Sequence, residues 1–411
     1  MFDYEPLTRS IQTVLDANNS QEMIGRILIS AQKLIGAEAA SIFLLNELEQ
    51  ILTLAAATNL TTEQMKQVKV PVGKGIAGWV AQHHKSVNIT DASCDERFFA
   101  GIDKKTGFST RGYLCVPMVA YDKVIGTLQL LNQTTGGTFS SEAQQMLQCF
   151  AALAALAIFK SRMYEAQLEK ERLEVELNTA QTFQSRLVPS SIVPLNGYEI
   201  QSYYRVARTL GGDYYDAFPS RHGYIVTIAD VSGKGPGAAL WMSALANLMR
   251  FTAQREQSPL DTLSEIDHHF SSVFPFGVFI TLFLGIIQDG ELVYRNAGHL
   301  PILLSTKAGG CKQLPATGLP IGLNPDFPST TERCVFPHGA RLLLYTDGVT
   351  EATNRNGKMF EQERLEKIAV KYADQSNEAF FFALEKRLDA FTRGTEQSDD
   401  ITVLVISRNE E

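Results

Sequence analysis

Apolar residues recur with two different spacings along the first part of the chain. Helical spacing over residues 24–34 predicts a helix that ends at Ile35, with Ser20 as its N-cap. Shorter apolar runs predict paired strands at 39–45, 51–57, 112–120 and 124–132. Because helices precede, separate and follow these strands, the pattern indicates an α+β domain over residues 1–155.

A heptad pattern begins at Leu156. Eight of its ten seam positions are apolar, and charged residues flank them. The ten positions are Leu156, Phe159, Met163, Ala166, Lys170, Leu173, Leu177, Ala180, Gln184 and Leu187. A repeat of about four heptads predicts a coiled coil over residues 156–188, with a single helix docked on a domain as the alternative. The polar seam residues Lys170 and Gln184 would lower its stability and could specify its register.

The remaining residues, 189–411, alternate between strand and helix patterns. Several strands follow one another without a helix between them, which predicts largely antiparallel sheets covered by helices. Strands are predicted at 224–229, 279–287, 291–296, 301–305, 340–345 and 401–406, and helices at 238–253, 363–372 and 377–393.

Composition narrows the class of protein. Hydrophobic residues make up 45% and charged residues 20%, as in soluble globular proteins. The net charge of -8, without a basic stripe, argues against binding of nucleic acid. Five scattered cysteines without a C-x-x-C pair favour a reducing cytoplasm. We expect no signal peptide and no membrane segment, because the N-terminus lacks an apolar region and the apolar helix at 146–159 is too short.

Acidic residues in the C-terminal region stand beside apolar runs or in glycine-rich turns. They are Asp213, Asp230, Asp347, Asp399 and Asp400. Two carboxylates about 4 Å apart repel by roughly 4 kcal/mol at an effective dielectric of 20, so a cluster of them needs cations. Hard oxygen ligands suit Mg²⁺ or Mn²⁺, and a two-metal site activates water for attack on phosphorus. A single Asp-Gly is more often a plain turn, but four such positions predict a metal-dependent phosphatase.

Six motifs follow one another along the C-terminal region: GGDYYD, ADVSGKGPGAAL, RNAGHLP, TGLPIGL, YTDGVTEA and SDDITVLV. In this order they resemble the SpoIIE/RsbU branch of the metal-dependent protein serine/threonine phosphatases. The resemblance implies an α-β-β-α sandwich with two Mn²⁺ or Mg²⁺ ions at one end. On the matching positions it implies that Asp230 bridges both ions and that the Val231 carbonyl joins one of them. It also implies that Asp347 and Asp399 complete the other ion's ligands, and that Asp213 holds an ion directly or through water.

The other polar residues of these motifs receive supporting roles. Asp216 and Asp400 are expected to support the ligands. Metal-activated water would attack the phosphorus of phosphoserine or phosphothreonine in line. The proton donor is open: His299 is a candidate that could instead shape a turn, and Lys234 either contacts phosphate or is a solvated loop residue.

The N-terminal region contains the segments GKGIAGWVAQHHKSVNITDASCDERFF and TGFSTRGYLCVPMVAYDKVIGTLQLLN. These segments resemble a GAF domain, and the resemblance covers about residues 10–160. The resemblance implies an antiparallel sheet with a small-molecule pocket and helices that pair across a dimer. Asn132 and Phe139 fit a cyclic-nucleotide pattern, but Gln133 stands where that pattern has lysine, so the ligand stays open. The G-x-G-x-x-G at 73–78 lacks the βαβ unit of a dinucleotide site.

Together these features predict a cytoplasmic bacterial signalling phosphatase. A GAF sensor at 1–155, a coiled-coil linker at 156–188 and a catalytic domain at 189–411 would form a homodimer through the GAF domain and the coiled coil. The resemblance suggests a phosphorylated STAS-type anti-sigma factor antagonist as substrate, with the sign of regulation open. The alternatives are a non-catalytic scaffold gated by the GAF domain and a GAF-coupled nucleotide cyclase, which the NAGHLP and DDITV motifs disfavour.

Overall fold

The chain divides into two units, one up to Arg172 and one from Leu173 onward. The computed structural model describes residues 20–98, 103, 108–189, 191–255, 257–307 and 310–410. The predicted N-cap contact of the Ser20 side chain lies outside the described residues. The predicted domain boundaries at 155 and 188 stay predictions.

The N-terminal unit is built on one antiparallel sheet. Its elements are α1 (Ser20–Ile35), β1 (Ala37–Asn46), β2 (Ile51–Ala57), α2 (Thr62–Lys66), β3 (Lys69–Pro71), α3 (Gly75–His83), β4 (Val87–Ile89), β5 (Tyr113–Ala120), β6 (Lys123–Gln133) and α4 (Ser141–Gln184). The strand order is β3-β2-β1-β6-β5-β4. Apolar residues of α1 and α4, among them Ile27 and Phe150, are fully buried in a core with Ile42 and Leu128 of the sheet. The predicted α+β domain is confirmed.

Helix α4 is 44 residues long and continues through most of the predicted linker. Among the described helices it is the one whose length and hydropathy would allow it to cross a bilayer. Its apolar first half supplies the buried Leu147 and Phe150 to the core, which accounts for that composition. Farther along, Met163, Leu173 and Phe183 are exposed on the helix surface.

The C-terminal unit contains two sheets and five helices within its described residues. Its elements are β7 (Tyr198–Arg205), β8 (Asp213–Ser220), β9 (Gly223–Val231), α5 (Pro236–Thr252), α6 (Pro259–Val273), β10 (Ile280–Gln288), β11 (Glu291–Ala297), β12 (Ile302–Ser305), β13 (Cys311–Leu314), β14 (Glu332–Val335), β15 (Arg341–Tyr345), α7 (Asp347–Thr350), α8 (Gln362–Lys371), α9 (Asn377–Phe391) and β16 (Ile401–Arg408).

The two sheets face each other, and helices cover their outer faces. Their strand orders are β14-β11-β10-β9-β8 and β13-β12-β15-β16-β7. Strand β15 shows why these strands are continuously apolar: Leu342 and Leu344 point into the core between the sheets, whereas Leu343 and Tyr345 pack against α8 and α9. Helix α5 packs on β8 and β9 of the other sheet. These layers confirm the predicted α-β-β-α sandwich.

One buried arginine joins the second sheet to its helices. Arg341, at 2% exposure, donates from Nη1 to the Tyr372 carbonyl at 2.7 Å and from Nη2 to the Gln375 carbonyl at 2.5 Å. Its Nε donates to Asn377 Oδ1 and Ser407 Oγ, both at 3.1 Å. The guanidinium therefore caps the end of α8 and fixes the start of α9.

Substitution of Arg341→Met should lower the free energy of unfolding of the C-terminal unit by about 3 kcal/mol, because the carbonyls that it caps lose buried donors. The chain has two tryptophans, Trp79 and Trp241, so urea unfolding by fluorescence in a Trp79→Phe background reports on the C-terminal unit. Arg333→Met, which removes an exposed pair with Glu291, should cost less than 1 kcal/mol. Equal losses in the two variants would contradict this role.

Candidate active site

The predicted site acids come from both sheets of the C-terminal unit. Asp213 begins β8 and lies directly opposite Asp230 near the end of β9. Asp347 begins α7 just after β15, and Asp399 stands two residues before β16. Each acid thus stands at or beside a strand end, which is where the sequence pattern predicts it.

Asp213 and Asp230 form a buried carboxyl pair that joins the two sheets. Asp213 is 2% exposed, and its Oδ2 accepts hydrogen bonds from Thr402 Oγ1 and, at 2.7 Å, from Thr346 Oγ1 of the opposite sheet. Asp230 shares a hydrogen bond with Asp213. Burial, followed by the charge of Asp230, raises the pKa of Asp213 well above its usual range. Burial and the charge of Asp347 raise the pKa of Asp230 to about 7.

Asp347 and Asp399 are brought together by a close approach of their backbones. A Cβ at Gly348 would overlap the carbonyl oxygen of Asp400, so this position requires glycine. Burial, then the charge of Asp399, raises the pKa of Asp347 to about 6. Asp399 in turn forms an ion pair with Lys234, whose Nζ lies 2.7 Å from Asp399 Oδ2. The predicted loop lysine is therefore engaged with a predicted ligand.

Gly212 leaves room beside two predicted ligand oxygens. A Cβ there would lie 3.2 Å from the Val231 carbonyl oxygen and 3.9 Å from Asp230 Oδ1. The Gly212 N–H donates to Asp400 Oδ2 at 2.7 Å, and the Ala207 N–H donates to Asp400 Oδ1 at 2.8 Å. Asp400 thus holds the loop before β8 in place, which is the supporting position expected for it.

The donor set is suited to a hard divalent cation. Asp230, Asp347 and Asp399 offer carboxylate oxygens, and Val231 offers a carbonyl oxygen, which are ligands that Mg²⁺ and Mn²⁺ prefer. Among the described residues, however, no three acidic, histidine or cysteine side chains converge within reach of a single ion. Instead, Asp230 shares a hydrogen bond with Asp213, and Asp399 forms an ion pair with Lys234. Ligation of one ion by three of them therefore requires side-chain rotation.

His299 and Asp216 lie within the motifs, but their side chains join elements of the fold. His299 Nε2 lies 3.0 Å from the Tyr345 carbonyl oxygen and must donate to it, so Nδ1 accepts from Thr281 Oγ1 at 2.8 Å. The ring ties β10 to β15 and has both nitrogens engaged, which argues against a role as proton donor. Asp216 is fully buried and accepts from Arg250 Nε at 2.6 Å.

The contacts also reveal residues that the sequence pattern does not identify. Gln184, the last residue of α4, donates from Nε2 to the Gly211 carbonyl at 2.7 Å and accepts from the Gly211 N–H at 3.2 Å. The linker helix therefore ends on the loop that leads to Asp213. Arg208 of that loop lines a small cleft together with Asp230 and Lys234. A local motif could not indicate either contact, because both depend on tertiary packing.

The N-terminal unit contains a separate cavity of about 620 Å³. Its walls are largely apolar, and its polar lining includes Ser41, Tyr113 and Gln129. The Tyr113 hydroxyl donates to Gln129 Oε1, and Gln129 Nε2 donates to Ser41 Oγ at 2.5 Å. Asn132, which fits the cyclic-nucleotide pattern, instead accepts from the Arg111 N–H at 2.7 Å and donates to Glu38 Oε2. It therefore organises the backbone beside the sheet.

Both units match known families. Residues 220–409 match the model described as Stage II sporulation protein E (SpoIIE), and residues 19–158 match that of the GAF domain. Protein IcfG from Synechocystis sp. is 28% identical over 267 residues, which cover 57% of this chain and 42% of that protein. Phosphoserine phosphatase RsbP from Bacillus subtilis is 32% identical over 186 residues, which cover 43% of this chain and 46% of that protein. The chain thus spans less than half the length of these relatives.

A solved structure shares the fold of the C-terminal unit. The SiaA-PP2C domain of Pseudomonas aeruginosa aligns with a TM-score of 0.51 at 19% identity, over 58% of this chain and 97% of that domain. The predicted family resemblance is confirmed: the chain carries a GAF domain and a PP2C-type serine/threonine phosphatase domain of the SpoIIE family.

The buried ring of His299 predicts a loss of stability in acid. Burial lowers the pKa of His299 to about 4 from its ordinary 6.5, so its contribution is complete above pH 6.5 and is lost as the pH falls toward 4. In a Trp79→Phe background with EDTA present, the protein with His299 should lose about 2 kcal/mol more of its free energy of unfolding between pH 7 and pH 5 than His299→Gln, measured by urea unfolding and Trp241 fluorescence. The exposed His269→Gln control should follow the wild type. Parallel curves for wild type and His299→Gln would refute this.

Proposed function

We propose that this chain, which joins a GAF domain to a SpoIIE-type phosphatase domain, is a metal-dependent protein serine/threonine phosphatase of bacterial signalling. The observation that carries the proposal is the grouping of aspartates from two sheets at one edge of the sandwich. Burial and mutual repulsion raise the pKa of Asp230 to about 7 and that of Asp347 to about 6. Bound cations would relieve that repulsion.

The residues proposed to hold the ions are those that the family motifs match. Asp230 would contact both ions, the Val231 carbonyl one of them, and Asp347 with Asp399 the other, with Asp213 as an accessory ligand. When bound, two Mn²⁺ or Mg²⁺ ions supply a nucleophilic water near neutral pH and neutralise charge on the phosphoryl oxygens.

The remaining residues would position these ligands. Thr346 and Thr402 hold Asp213 from the opposite sheet, and Asp400 holds the Gly212 backbone.

The cleft lined by Arg208 and Lys234 has no histidine among its described residues, so we infer that no histidine protonates the leaving group. Arg208 would face the dianionic phosphate from the rim of the cleft.

The proposed substrate is a phosphoserine or phosphothreonine on a regulatory protein, and we favour a STAS-type anti-sigma factor antagonist. The similarity to the phosphoserine phosphatase RsbP supports the serine monoester. A phosphatase that acts on such a partner would work in the cytoplasm, which is the location that we propose.

Regulation would pass along α4. A small molecule bound in the 620 Å³ cavity would change the conformation of the N-terminal unit, and the packing along the heptad seam of α4 would change with it. Gln184 connects the end of that helix to Gly211, two residues before Asp213. A change in the helix would therefore reposition the accessory ligand. The exposed apolar seam residues Met163 and Leu173 favour pairing of α4 with a second copy.

Loss of the proposed ligands should abolish catalysis. With Mn²⁺, the wild type should hydrolyse p-nitrophenyl phosphate and a phosphoserine peptide, and Asp230→Asn or Asp347→Asn should lower kcat/KM by at least about 100-fold. Asp326→Asn, an exposed acid of the same unit, should retain wild-type rates. A wild type that hydrolyses neither substrate, together with variants that bind the phosphoprotein as the wild type does, would favour the scaffold. Formation of a cyclic nucleotide from ATP would favour the cyclase.

Charges in the seam should separate the dimer. Leu173→Lys with Leu177→Lys would place four like charges in the paired interface, so light scattering should give the mass of one chain, against two for the wild type. Asn178→Lys with Thr182→Lys adds the same charge outside the seam and should remain dimeric. A monomeric wild type would contradict the proposed coiled coil.

A further inference from the structure

Lys234 lies in the ADVSGKGPGAAL motif and lines the cleft, but it has no place among the proposed metal ligands. Its Nζ lies 2.7 Å from Asp399 Oδ2 and donates to the Ser398 carbonyl at 2.6 Å. The same ammonium lowers the pKa of Asp347, against the larger upward effects of burial and of the Asp399 charge. One side chain thus supplies positive charge to two proposed ligands of the same ion.

The loop around Lys234 has open space beside it, and the lysine side chain is partly exposed. Gly233 and Gly235 have φ angles of 92° and 75°, a region that favours glycine. A Cβ at either position would meet no atom within 4 Å, so the loop runs through open space. The Lys234 side chain is 40% exposed, and its four-carbon stem can carry the ammonium into solvent.

We propose that Lys234 is an internal competitor of the divalent cation at Asp399. Its ammonium pairs with Asp399 and would have to leave that carboxylate for a cation to bind there. Lys234 therefore sets the affinity of the ion held by Asp347 and Asp399, and it weakens that affinity relative to the ion held by the Val231 carbonyl. The inference rests on the proposed metal-dependent function.

The charge arithmetic favours competition over assistance. An ammonium near a divalent ion raises the free energy of the bound state, whereas its pair with Asp399 lowers that of the metal-free state. Both effects weaken metal binding. If Lys234 instead contacts substrate phosphate, its removal would raise KM and leave the metal affinity unchanged.

Removal of the Lys234 charge should tighten Mn²⁺ binding. Free Mn²⁺ measured by electron paramagnetic resonance during titration should show about tenfold tighter binding of the weaker ion in Lys234→Gln. Lys234→Met, a second neutral variant, should behave alike, and Lys234→Arg should stay close to wild type. The exposed Lys386→Gln removes the same charge from α9 and should leave the affinity unchanged.

Thermal unfolding gives a second readout. In the Trp79→Phe background, metal-free Lys234→Gln should melt below wild type, and Mn²⁺ should raise its Tm by a larger increment. Unchanged or weaker Mn²⁺ binding in both neutral variants would overturn the competition and leave the proposed function intact. A wild type that binds no Mn²⁺ would instead refute the metal site on which both depend.

Discussion

Repulsion among carboxylates is the constraint on which the C-terminal unit depends. Its two sheets bring Asp213, Asp230, Asp347 and Asp399 to one edge, where burial raises the pKa of the first three. Neighbouring groups stabilise two of these carboxyls: threonine hydroxyls donate to Asp213, and Lys234 forms an ion pair with Asp399. The same arrangement underlies the affinity for cations that we propose for this edge.

The strands were predictable where burial on both faces leaves a continuous apolar run. Strand β15 is such a case, because its residues alternate between the inter-sheet core and the helices, and all of them are buried. Strands β7 and β14 have mixed patterns at sheet edges, so the sequence pattern does not predict them. The polar helix α6 also escaped prediction, although Ser258 caps it and Pro259 begins it.

The site was predictable as a set of positions and not as a set of contacts. A strand followed by Asp and Gly indicates where a carboxylate stands, but the partner of that carboxylate lies far away in sequence. Gln184 fits a heptad seam, yet its amide bonds Gly211, 27 residues later. His299 likewise looks like an acid or base in its motif, and only the fold reveals that Thr281 and Tyr345 engage its ring.

The proposed function requires this edge of the sandwich to hold two divalent cations. Equilibrium dialysis of the full chain against Mn²⁺, with bound metal quantified by mass spectrometry, measures how many ions bind. We expect binding to saturate at two ions per chain. A chain that binds no ion at Mn²⁺ concentrations up to the millimolar range would refute the two-metal site.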